Sequence, residues 1–323
     1  MKPFAFVFPG QGSQSIGMLN GFVGNRAVDD TVAEASDVLG MDIGQLISSG
    51  PKEQLDLTTN TQPVMLTAAI AVYRAWLAAG GELPTIVAGH SLGEYSALVV
   101  AGVLSFSDAL PLVRFRAEAM QQAVPVGQGE MAAILGLSDA DVIATCVEAE
   151  QGEIVEAVNF NAPLQVVIAG SKAAVDRACA IAKAKGAKRA LVLAVSAPFH
   201  SSLLQPASDR LRDYLNNVPF ASAAKDATPA VIPLVNNVDV AIVNEADKYR
   251  DALVRQAASP VRWVETIQHI AATGITQIIE CGPGKVLVGL TKRIDPQLSA
   301  EAIFDDASMQ RVLALLNETI ELR

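Results

Sequence analysis

Short apolar runs and longer stretches of helical periodicity alternate along this chain. Runs of four or five apolar residues are typical of strands that are buried on both faces of a sheet. Helical patterns separate these runs, and Thr61-Gln62-Pro63 is predicted to start one helix, because proline suits a first helical turn. The alternation predicts an α/β fold with a parallel sheet. The predicted strands are residues 4–8, 85–88, 231–235 and 277–281, and Pro233 indicates an edge position for the third.

The middle of the chain has a different pattern, which begins near Gly129. Its strands and helices follow the order β-α-β-β-α-β, which is typical of a ferredoxin-like unit. We therefore predict a large domain formed by residues 1–127 and 197–323, with an inserted small domain formed by residues 128–196. The predicted strands of the insertion are 131–135, 154–158, 165–169 and 189–195, and its predicted helices are 139–149 and 173–185.

The composition narrows the class of protein. The 323 residues are 51% hydrophobic and only 18% charged, which is typical of a compact globular protein. The formal net charge of −10 argues against nucleic acids and anionic membranes as partners. Cys146, Cys179 and Cys281 form no Cys-x-x-Cys pair, so we expect free thiols, a reducing compartment and no metal site. No apolar stretch reaches the length of a membrane span, and we expect a soluble cytoplasmic protein.

One short segment carries the strongest chemical indication. Gly89-His90-Ser91-Leu92-Gly93 follows a predicted strand and precedes a helical pattern, which is the arrangement of a nucleophile elbow. Its two glycines have no side chains to clash where strand and helix close on one another. The alternative is an ordinary turn whose serine caps the helix. Ser91 is the candidate nucleophile.

A serine nucleophile needs a base, and the chain has three histidines. His90 adjoins Ser91 in the turn, where mutual hydrogen bonding is difficult, and His269 lies in a helical pattern far along the chain. His200 follows a predicted strand, in the segment that joins the small domain to the large one. It is the candidate base, and the alternative is a histidine held in an inter-domain hinge. No aspartate stands at a suitable position to orient the imidazole, and a carbonyl group is the other possibility.

Arg116 is the second informative residue. Helical spacing places it on the apolar stripe of a helix predicted from about Ser107 to Ala123, whereas Arg114 points to the opposite side. A buried guanidinium requires an anion. The two interpretations are a structural contact, such as a salt bridge to a core carboxylate, and a bidentate clamp for a substrate carboxylate.

An oxyanion hole would need two backbone N–H groups near Ser91. Leu92 supplies one by its position after the nucleophile. The loop Pro9-Gly10-Gln11-Gly12, at the end of the first predicted strand, is suited to supply the other. A phosphate cradle is the alternative for this loop, but no Gly-Lys-Ser/Thr follows it.

Taken together, these segments resemble the malonyl-CoA–acyl carrier protein transacylase family of fatty acid synthesis. The resemblance covers nearly the whole chain, and the two glycine-containing motifs are more specific together than either is alone. The matching segments are Phe8-Pro9-Gly10-Gln11-Gly12-Ser13-Gln14, Thr61-Gln62-Pro63, Gly89-His90-Ser91-Leu92-Gly93-Glu94-Tyr95-Ser96-Ala97, Arg116, Asn159-Phe160-Asn161-Ala162-Pro163, His200-Ser201, Asn236-Asn237-Val238, Arg255-Gln256 and Gly282-Pro283-Gly284.

The resemblance implies an α/β-hydrolase-like core with a ferredoxin-like small domain. It also implies ping-pong transfer of a malonyl group from malonyl-CoA to the phosphopantetheine thiol of acyl carrier protein, by a monomer and without a metal or other cofactor. The implied roles are Ser91 as acylated nucleophile, His200 as base, Arg116 as carboxylate ligand, Gln11 and Leu92 as oxyanion donors, Gln256 as the group that orients the histidine, and Gln62 as pocket lining. Phe199, before His200, is consistent with a small acyl pocket.

Three other functions remain open at this point. They are an esterase or thioesterase that uses the same elbow, another acyltransferase such as a malonate decarboxylase subunit, and a non-catalytic scaffold for carrier protein. Carrier proteins of this family are expected to be acidic, so docking would need a local basic patch, although a charge cluster is more often simply a solvated face. The candidate clusters are Lys183, Lys185, Lys188 and Arg189, and Lys285, Lys292 and Arg293.

Overall fold

A computed structural model describes residues 2–221 and 231–317, which form two sheets and the helices around them. The strands are β1 (Phe4–Phe8), β2 (Ile86–Gly89), β3 (Gly129–Leu135), β4 (Val155–Ala162), β5 (Gln165–Ser171), β6 (Arg189–Val192), β7 (Leu234–Val235), β8 (Gln277–Cys281) and β9 (Ser299–Ile303). The helices are α1 (Arg26–Leu39), α2 (Ile43–Ser49), α3 (Lys52–Leu55), α4 (Thr58–Ala78), α5 (Gly93–Val100), α6 (Phe106–Ala123), α7 (Asp139–Glu150), α8 (Lys172–Ala184), α9 (Gln205–Leu215), α10 (Ala246–Gln256), α11 (Trp263–Ala272), α12 (Val286–Ile294) and α13 (Asp306–Asn317).

The larger sheet has five parallel strands in the order β7-β2-β1-β8-β9. At its centre, Phe6 of β1 is paired with Val87 of β2 on one side and with Ile279 of β8 on the other. Because all strands run in the same direction, their carboxyl ends and the loops that follow them lie along one edge. A parallel sheet of this kind places its functional loops at that edge.

Helices cover both faces of the parallel sheet. Phe4, Phe6 and Phe8 alternate toward one apolar core, whereas Ala5 and Val7 face a second core on the opposite side. All five residues of β1 are fully buried, which explains why the strand is continuously apolar. The predicted parallel α/β architecture is therefore confirmed.

The smaller sheet has four antiparallel strands in the order β4-β5-β3-β6. Helices α7 and α8 pack on one of its faces around a separate apolar cluster. Residues of the other face, including Met131 and Val167, join the core of the larger unit. The predicted order β-α-β-β-α-β is present between residues 129 and 192.

Several predicted boundaries were wrong. Helix α4 begins at Thr58, not at Thr61, and Pro63 lies inside it. The Thr61 hydroxyl donates to the carbonyls of Leu55 and Leu57, which ties the additional turn to the preceding segment. Strand β7 occupies only two of the five predicted positions, although it lies at the sheet edge as predicted. Strand β9 and helix α13 were not predicted, and they complete the opposite edge of the sheet.

Two further findings concern the described residues. Within residues 2–221 and 231–317, no helix is long and apolar enough to cross a bilayer. The three cysteines are free and buried, as expected from their spacing.

Candidate active site

Six of the seven sequence-predicted site residues line a cleft of about 220 Å³ between the two sheets, and the seventh, Gln256, contacts them from outside its lining. One wall consists of loops at the carboxyl edge of the parallel sheet, together with helix α12. The other wall consists of side chains from the antiparallel sheet and the segment that follows it. Lining residues that bear on the chemistry are Gln11, Gln62, Ser91, Leu92, Arg116 and His200, and those from the second sheet include Met131, Asn161, Gln165 and Val167.

Ser91 lies at the tip of a tight turn between β2 and α5. Its φ of 53° is in the left-handed region, which non-glycine residues rarely adopt outside functional sites. The turn can close because Gly89 and Gly93 lack side chains. A Cβ at Gly89 would lie 1.9 Å from the carbonyl carbon of Gly93, and a Cβ at Gly93 would lie 2.1 Å from the carbonyl oxygen of Phe8. The predicted elbow geometry is therefore confirmed.

His200 forms a short hydrogen-bonded chain with Ser91 and Gln256. The distance from Ser91 Oγ to His200 Nε2 is 2.6 Å, and the distance from His200 Nδ1 to the main-chain oxygen of Gln256 is 2.9 Å. A carbonyl oxygen can only accept, so Nδ1 carries the proton and the lone pair of Nε2 faces the serine hydroxyl. The structure therefore contains the carbonyl alternative for the orienting group, and within residues 2–221 and 231–317 no aspartate bonds to His200.

The environment keeps His200 neutral. Burial lowers the pKa of its imidazole to about 3, and the nearby charge of Arg116 acts in the same direction. At neutral pH the imidazole is therefore free to accept a proton. This is the protonation state that a general base requires before the reaction begins.

Arg116 points into the core of the site and is only 2% exposed. Its Nη1 donates to Gln62 Oε1 at 2.9 Å, and its Nη2 donates to Gln256 Oε1 at 2.9 Å and to Ser91 Oγ at 3.3 Å. The guanidinium also lies over the Tyr95 ring, 5.3 Å from the ring centroid. Its inward orientation is as predicted, and Arg114 is half-exposed and pairs with Glu118.

The salt-bridge interpretation of Arg116 is not what the structure contains. Among the described residues, its hydrogen-bond acceptors are two amide oxygens and one hydroxyl, and no carboxylate forms an ion pair with it. Burial lowers the pKa of this guanidinium, but an arginine still keeps its charge at neutral pH. The positive charge of Arg116 therefore lies beside the serine hydroxyl without a direct carboxylate partner, which favours an anionic ligand.

Two residues of the cleft lining have backbone N–H groups that are candidates for binding a ligand. Gln11 and Leu92 both line the cleft, and within residues 2–221 and 231–317 neither backbone N–H has a hydrogen-bond acceptor. The loop of Gln11 approaches the elbow closely, because a Cβ at Gly10 would lie 2.6 Å from the carbonyl oxygen of His90. Gln11 is held by its own side chain, which donates to Thr58 Oγ1 at 3.2 Å.

The remaining histidines do not contact the serine hydroxyl. His90 Nε2 lies 2.7 Å from Asn161 Oδ1, and its ring packs against Trp263. His269 lies on α11, away from the cleft lining.

The two basic clusters differ in position. Lys185 of the first pairs with Glu148 at the end of α8, whereas the second lies on or beside α12, whose apolar side chains line the cleft.

Two residues of the site had no predicted role. Asn237 follows β7, and its side chain bonds to the backbone of the turn that carries Ser91. Its Oδ1 accepts from Ser91 N at 2.8 Å, and its Nδ2 donates to Gly89 O at 2.7 Å. Glu94 lies in the first turn of α5, buried below Ser91. The position of Asn236-Asn237 after an apolar strand, and a carboxylate within an apolar helix, were the available indications.

Comparisons with known proteins agree with this geometry. Residues 5–310 match the protein family described as "Acyl transferase domain". The chain is 51% identical over 316 residues to the malonyl CoA-acyl carrier protein transacylase of Escherichia coli (strain K12), covering 98% of this chain and 100% of that protein. It is 42% identical over 326 residues to the Bacillus subtilis (strain 168) protein of the same name, covering 98% of each.

Solved structures give the same result. The acyl-carrier-protein S-malonyltransferase of Burkholderia pseudomallei 1710b superposes with a TM-score of 0.93 at 65% identity, covering 97% of this chain and 100% of that chain. A malonyl-transacylase in complex with a type II PKS acyl-carrier protein superposes with a TM-score of 0.94 at 50% identity, with the same coverage.

Proposed function

The chain belongs to the acyl transferase family, and from this premise we propose that it transfers malonyl groups from malonyl-CoA to acyl carrier protein. The observation that carries the proposal is the convergence of Ser91, His200 and Arg116 in one cleft. A nucleophile, a neutral base and a buried cation are what the transfer of an acyl group with a free carboxylate requires. The protein names of the relatives support the same donor and acceptor.

The first half of the proposed reaction forms a malonyl-serine. Ser91 Oγ attacks the thioester carbonyl of malonyl-CoA while its proton passes to His200 Nε2. The tetrahedral intermediate then collapses with cleavage of the carbon–sulfur bond, and His200 returns the proton to the departing coenzyme A sulfur. The Nδ1–H bond to the Gln256 carbonyl fixes the ring during both proton transfers.

The negative oxygen of the tetrahedral intermediate would be bound by two backbone N–H groups. We assign this role to Gln11 and Leu92, because both residues line the cleft and neither N–H has an acceptor within the described part of the chain. A donor of this kind stabilises such an intermediate by roughly 3 kcal/mol. The arrangement supports the oxyanion roles that the resemblance implied.

The second half repeats the chemistry with the other thiol. The phosphopantetheine thiol of acyl carrier protein loses its proton to His200 and attacks the malonyl-serine ester, and Ser91 leaves with that proton. Every group that these steps use belongs to the chain or to the two substrates, so the proposed reaction uses no cofactor. We propose that Lys285, Lys292 and Arg293, which lie on or beside α12, contact the acidic carrier protein.

Arg116 provides the proposed selectivity for a dicarboxylic acyl group. Its guanidinium lies 3.3 Å from the nucleophile, so a carboxylate separated by one methylene from the reacting carbonyl can reach it. Gln62 and Gln256 hold the guanidinium from two sides, which limits its rotation. Charged, bidentate contacts of this type are strong and geometrically specific.

The architecture supports the finer division of the chain. We propose that residues 1–127 and 197–323 form an α/β-hydrolase-like core and that residues 128–196 form a ferredoxin-like insertion. The parallel sheet draws its strands from both outer segments, whereas β3 to β6 and helices α7 and α8 all come from the insertion. The cleft lies between the two units, which is a common position for a binding site.

Intact-mass spectrometry after mixing with malonyl-CoA tests the proposal directly. We expect a malonyl-sized increment on the wild-type protein and none on the Ser91→Ala variant. Addition of phosphopantetheine-loaded acyl carrier protein should remove the increment and produce malonyl carrier protein. Rapid loss of the increment in buffer, without an acceptor, would instead identify a thioesterase, and absence of any increment would contradict an acyl-enzyme.

A further inference from the structure

The carboxyl group of Glu94 is a buried acid that the proposed reaction does not use. Glu94 lies three positions after Ser91, in the first turn of α5, and its side chain is 1% exposed. Burial of a carboxylate is costly unless hydrogen-bond donors surround it. The identity of those donors therefore indicates what the group does.

A single oxygen of Glu94 joins two elements that come from distant parts of the chain. Its Oε2 accepts a hydrogen bond from Gln256 Nε2 at 2.8 Å and another from the backbone N–H of Asn237 at 3.1 Å. Both partners are fully buried. Each of them also holds the backbone of Ser91: Asn237 Oδ1 accepts from the Ser91 N–H, and Gln256 Nε2 donates to the Ser91 carbonyl.

The carboxylate also determines which way the Gln256 side chain faces. A carboxamide has a donating and an accepting end, and only the donating end can bond to a carboxylate. With Nε2 directed to Glu94 and the Ser91 carbonyl, Oε1 is directed to Arg116, whose Nη2 donates to it at 2.9 Å. The reversed amide would place N–H groups against a guanidinium that has no acceptor to offer.

We propose that Glu94 is a positioning residue for the acyl transfer, acting through Gln256 and Asn237 to fix the Ser91 backbone and the Arg116 guanidinium. The inference rests on the proposed function, because it concerns groups to which that function gives roles. Glu94 itself does not line the cleft, and the effect of its carboxyl group passes through Gln256 and Asn237.

The state of the carboxyl group fits this role and guides the choice of variant. Burial raises the pKa of Glu94 to about 7, and the like charge of Asp239 acts in the same direction. Hydrogen bonds from Gln256 and Asn237 and the charge of Arg116 oppose the increase. A proton on Oε1 would leave Oε2 free to accept both bonds. A glutamine whose carbonyl oxygen takes the place of Oε2 therefore preserves the arrangement.

Three substitutions of Glu94 distinguish a positioning role of its carboxyl group from a role in merely filling space. Glu94→Leu removes the acceptor, Glu94→Asp withdraws it by one methylene, and Glu94→Gln retains it. We expect roughly a hundredfold loss of malonyl kcat/KM in the first two, since small displacements of reacting groups have effects of this size. The ratio of malonyl to acetyl transfer should fall about tenfold or more with them, because Arg116 loses its support. Glu94→Gln should remain within a few-fold of wild type in both quantities.

Ser308→Ala is a matched control for structural damage. The buried Ser308 Oγ also accepts two backbone N–H bonds, from Phe304 and Asp305, but it belongs to α13 and does not line the cleft. We expect it to lower the melting temperature without changing the ratio of malonyl to acetyl transfer. The ratio does not depend on the fraction of folded enzyme, so a merely structural role of Glu94 would leave it unchanged.

Two results would overturn the inference. One is a folded Glu94→Leu or Glu94→Asp variant with the wild-type ratio, and the other is a folded Glu94→Gln variant as impaired as these. If Glu94→Leu does not fold, Glu94→Asp and Glu94→Gln provide the comparison. Failure of the proposed function is distinguishable, because the wild-type protein itself would then form no malonyl-serine.

Discussion

Two strand–loop–helix crossings meet at the cleft, and one of them carries the proposed nucleophile. The first joins β2 to α5 through Ser91, and the second joins β8 to α12 through Gly282-Pro283-Gly284. Both strands flank β1, and both loops use backbone with positive φ, at Ser91 in the first and at Gly282 and Gly284 in the second. The local geometry of a strand end is therefore similar in the two crossings.

The crossings differ in what surrounds their buried carboxylates. Burial raises the pKa of both Glu94 and Glu280 to about 7. Glu94 is bound by groups from α10 and from the loop after β7, which also hold the serine and the arginine. Glu280 accepts from the backbone N–H of Val288, in the first turn of the helix that follows its strand. The crossing with Ser91 is thus organised by partners that are remote in sequence. The other crossing contributes apolar side chains of α12 to the cleft wall.

The largest expected effect comes from removing the positive charge of Arg116, which lies beside Ser91 in the first crossing. We expect Arg116→Ala to lower malonyl kcat/KM by roughly a thousandfold, the size of effect seen when one member of a buried charged contact is lost. Acetyl transfer should be maintained or increased, because an acetyl group has no carboxylate to bind. Steady-state kinetics with malonyl-CoA and acetyl-CoA measure both effects.

Arg114→Ala is the control for the loss of an arginine from the same helix. Arg114 is half-exposed and pairs at the surface with Glu118, so both activities should stay close to wild type. Equal losses of malonyl and acetyl transfer in Arg116→Ala would show that Arg116 supports the site in general and does not select the substrate.

This arginine also illustrates how much could be predicted from sequence. Helical spacing placed Arg116 on the buried face of α6, but could not decide between a salt bridge and a ligand site, because its partners lie 54 and 140 positions away. The elbow was predictable, since its glycines and flanking elements are contiguous. The Gln256 carbonyl came from the resemblance alone, because any residue has a carbonyl and only the fold selects one.

Local sequence patterns also explain which strands could be predicted and which could not. Strand β1 was predicted well because it is a short apolar run buried on both faces. Strand β8 was also predicted, although it contains Gln277 and Glu280. Strand β9 was missed because its residues alternate in burial, with Glu301 exposed, and no long apolar run marks it. Strand β7 is shorter than its apolar run, and it begins directly after Pro233, which has no N–H group to donate to a sheet.

A second test compares a glycine in each crossing. Gly93→Ala would place a methyl group 2.1 Å from the carbonyl oxygen of Phe8, so strand and helix must separate. We expect roughly a hundredfold loss of kcat/KM through displacement of Ser91. Unfolding free energy should fall by about 1–3 kcal/mol, as in overpacked cores. Kinetics and urea denaturation measure the two quantities.

Gly289→Ala is its counterpart in α12. A Cβ at Gly289 meets no atom within 4 Å, so the helix should gain about 0.5–1 kcal/mol from the replacement of glycine by alanine. Activity should not change. A fully active Gly93→Ala variant would show that the close approach of α5 to β1 is not needed to present the serine.

The smallest expected effect concerns Glu280, the carboxylate of the unreactive crossing. Its folded-state pKa of about 7 lies above the ordinary value of 4.5, so between these pH values the folded protein binds more protons than the unfolded chain. This group therefore makes the protein less stable as pH rises from 5 to 8, by about 2 kcal/mol. Glu280→Gln should remove that decline, and urea denaturation at several pH values measures it.

Glu94→Gln provides the matched measurement for the reactive crossing. Because the pKa of Glu94 is raised to the same value, its replacement should flatten the pH dependence of stability by a similar amount. Only slopes are compared, so a constant loss of stability from either glutamine does not affect the result. Parallel pH profiles for wild type and Glu280→Gln would mean that this carboxyl group ionises as it does in the unfolded chain. In that case the two crossings would differ in their electrostatics as well as in their partners.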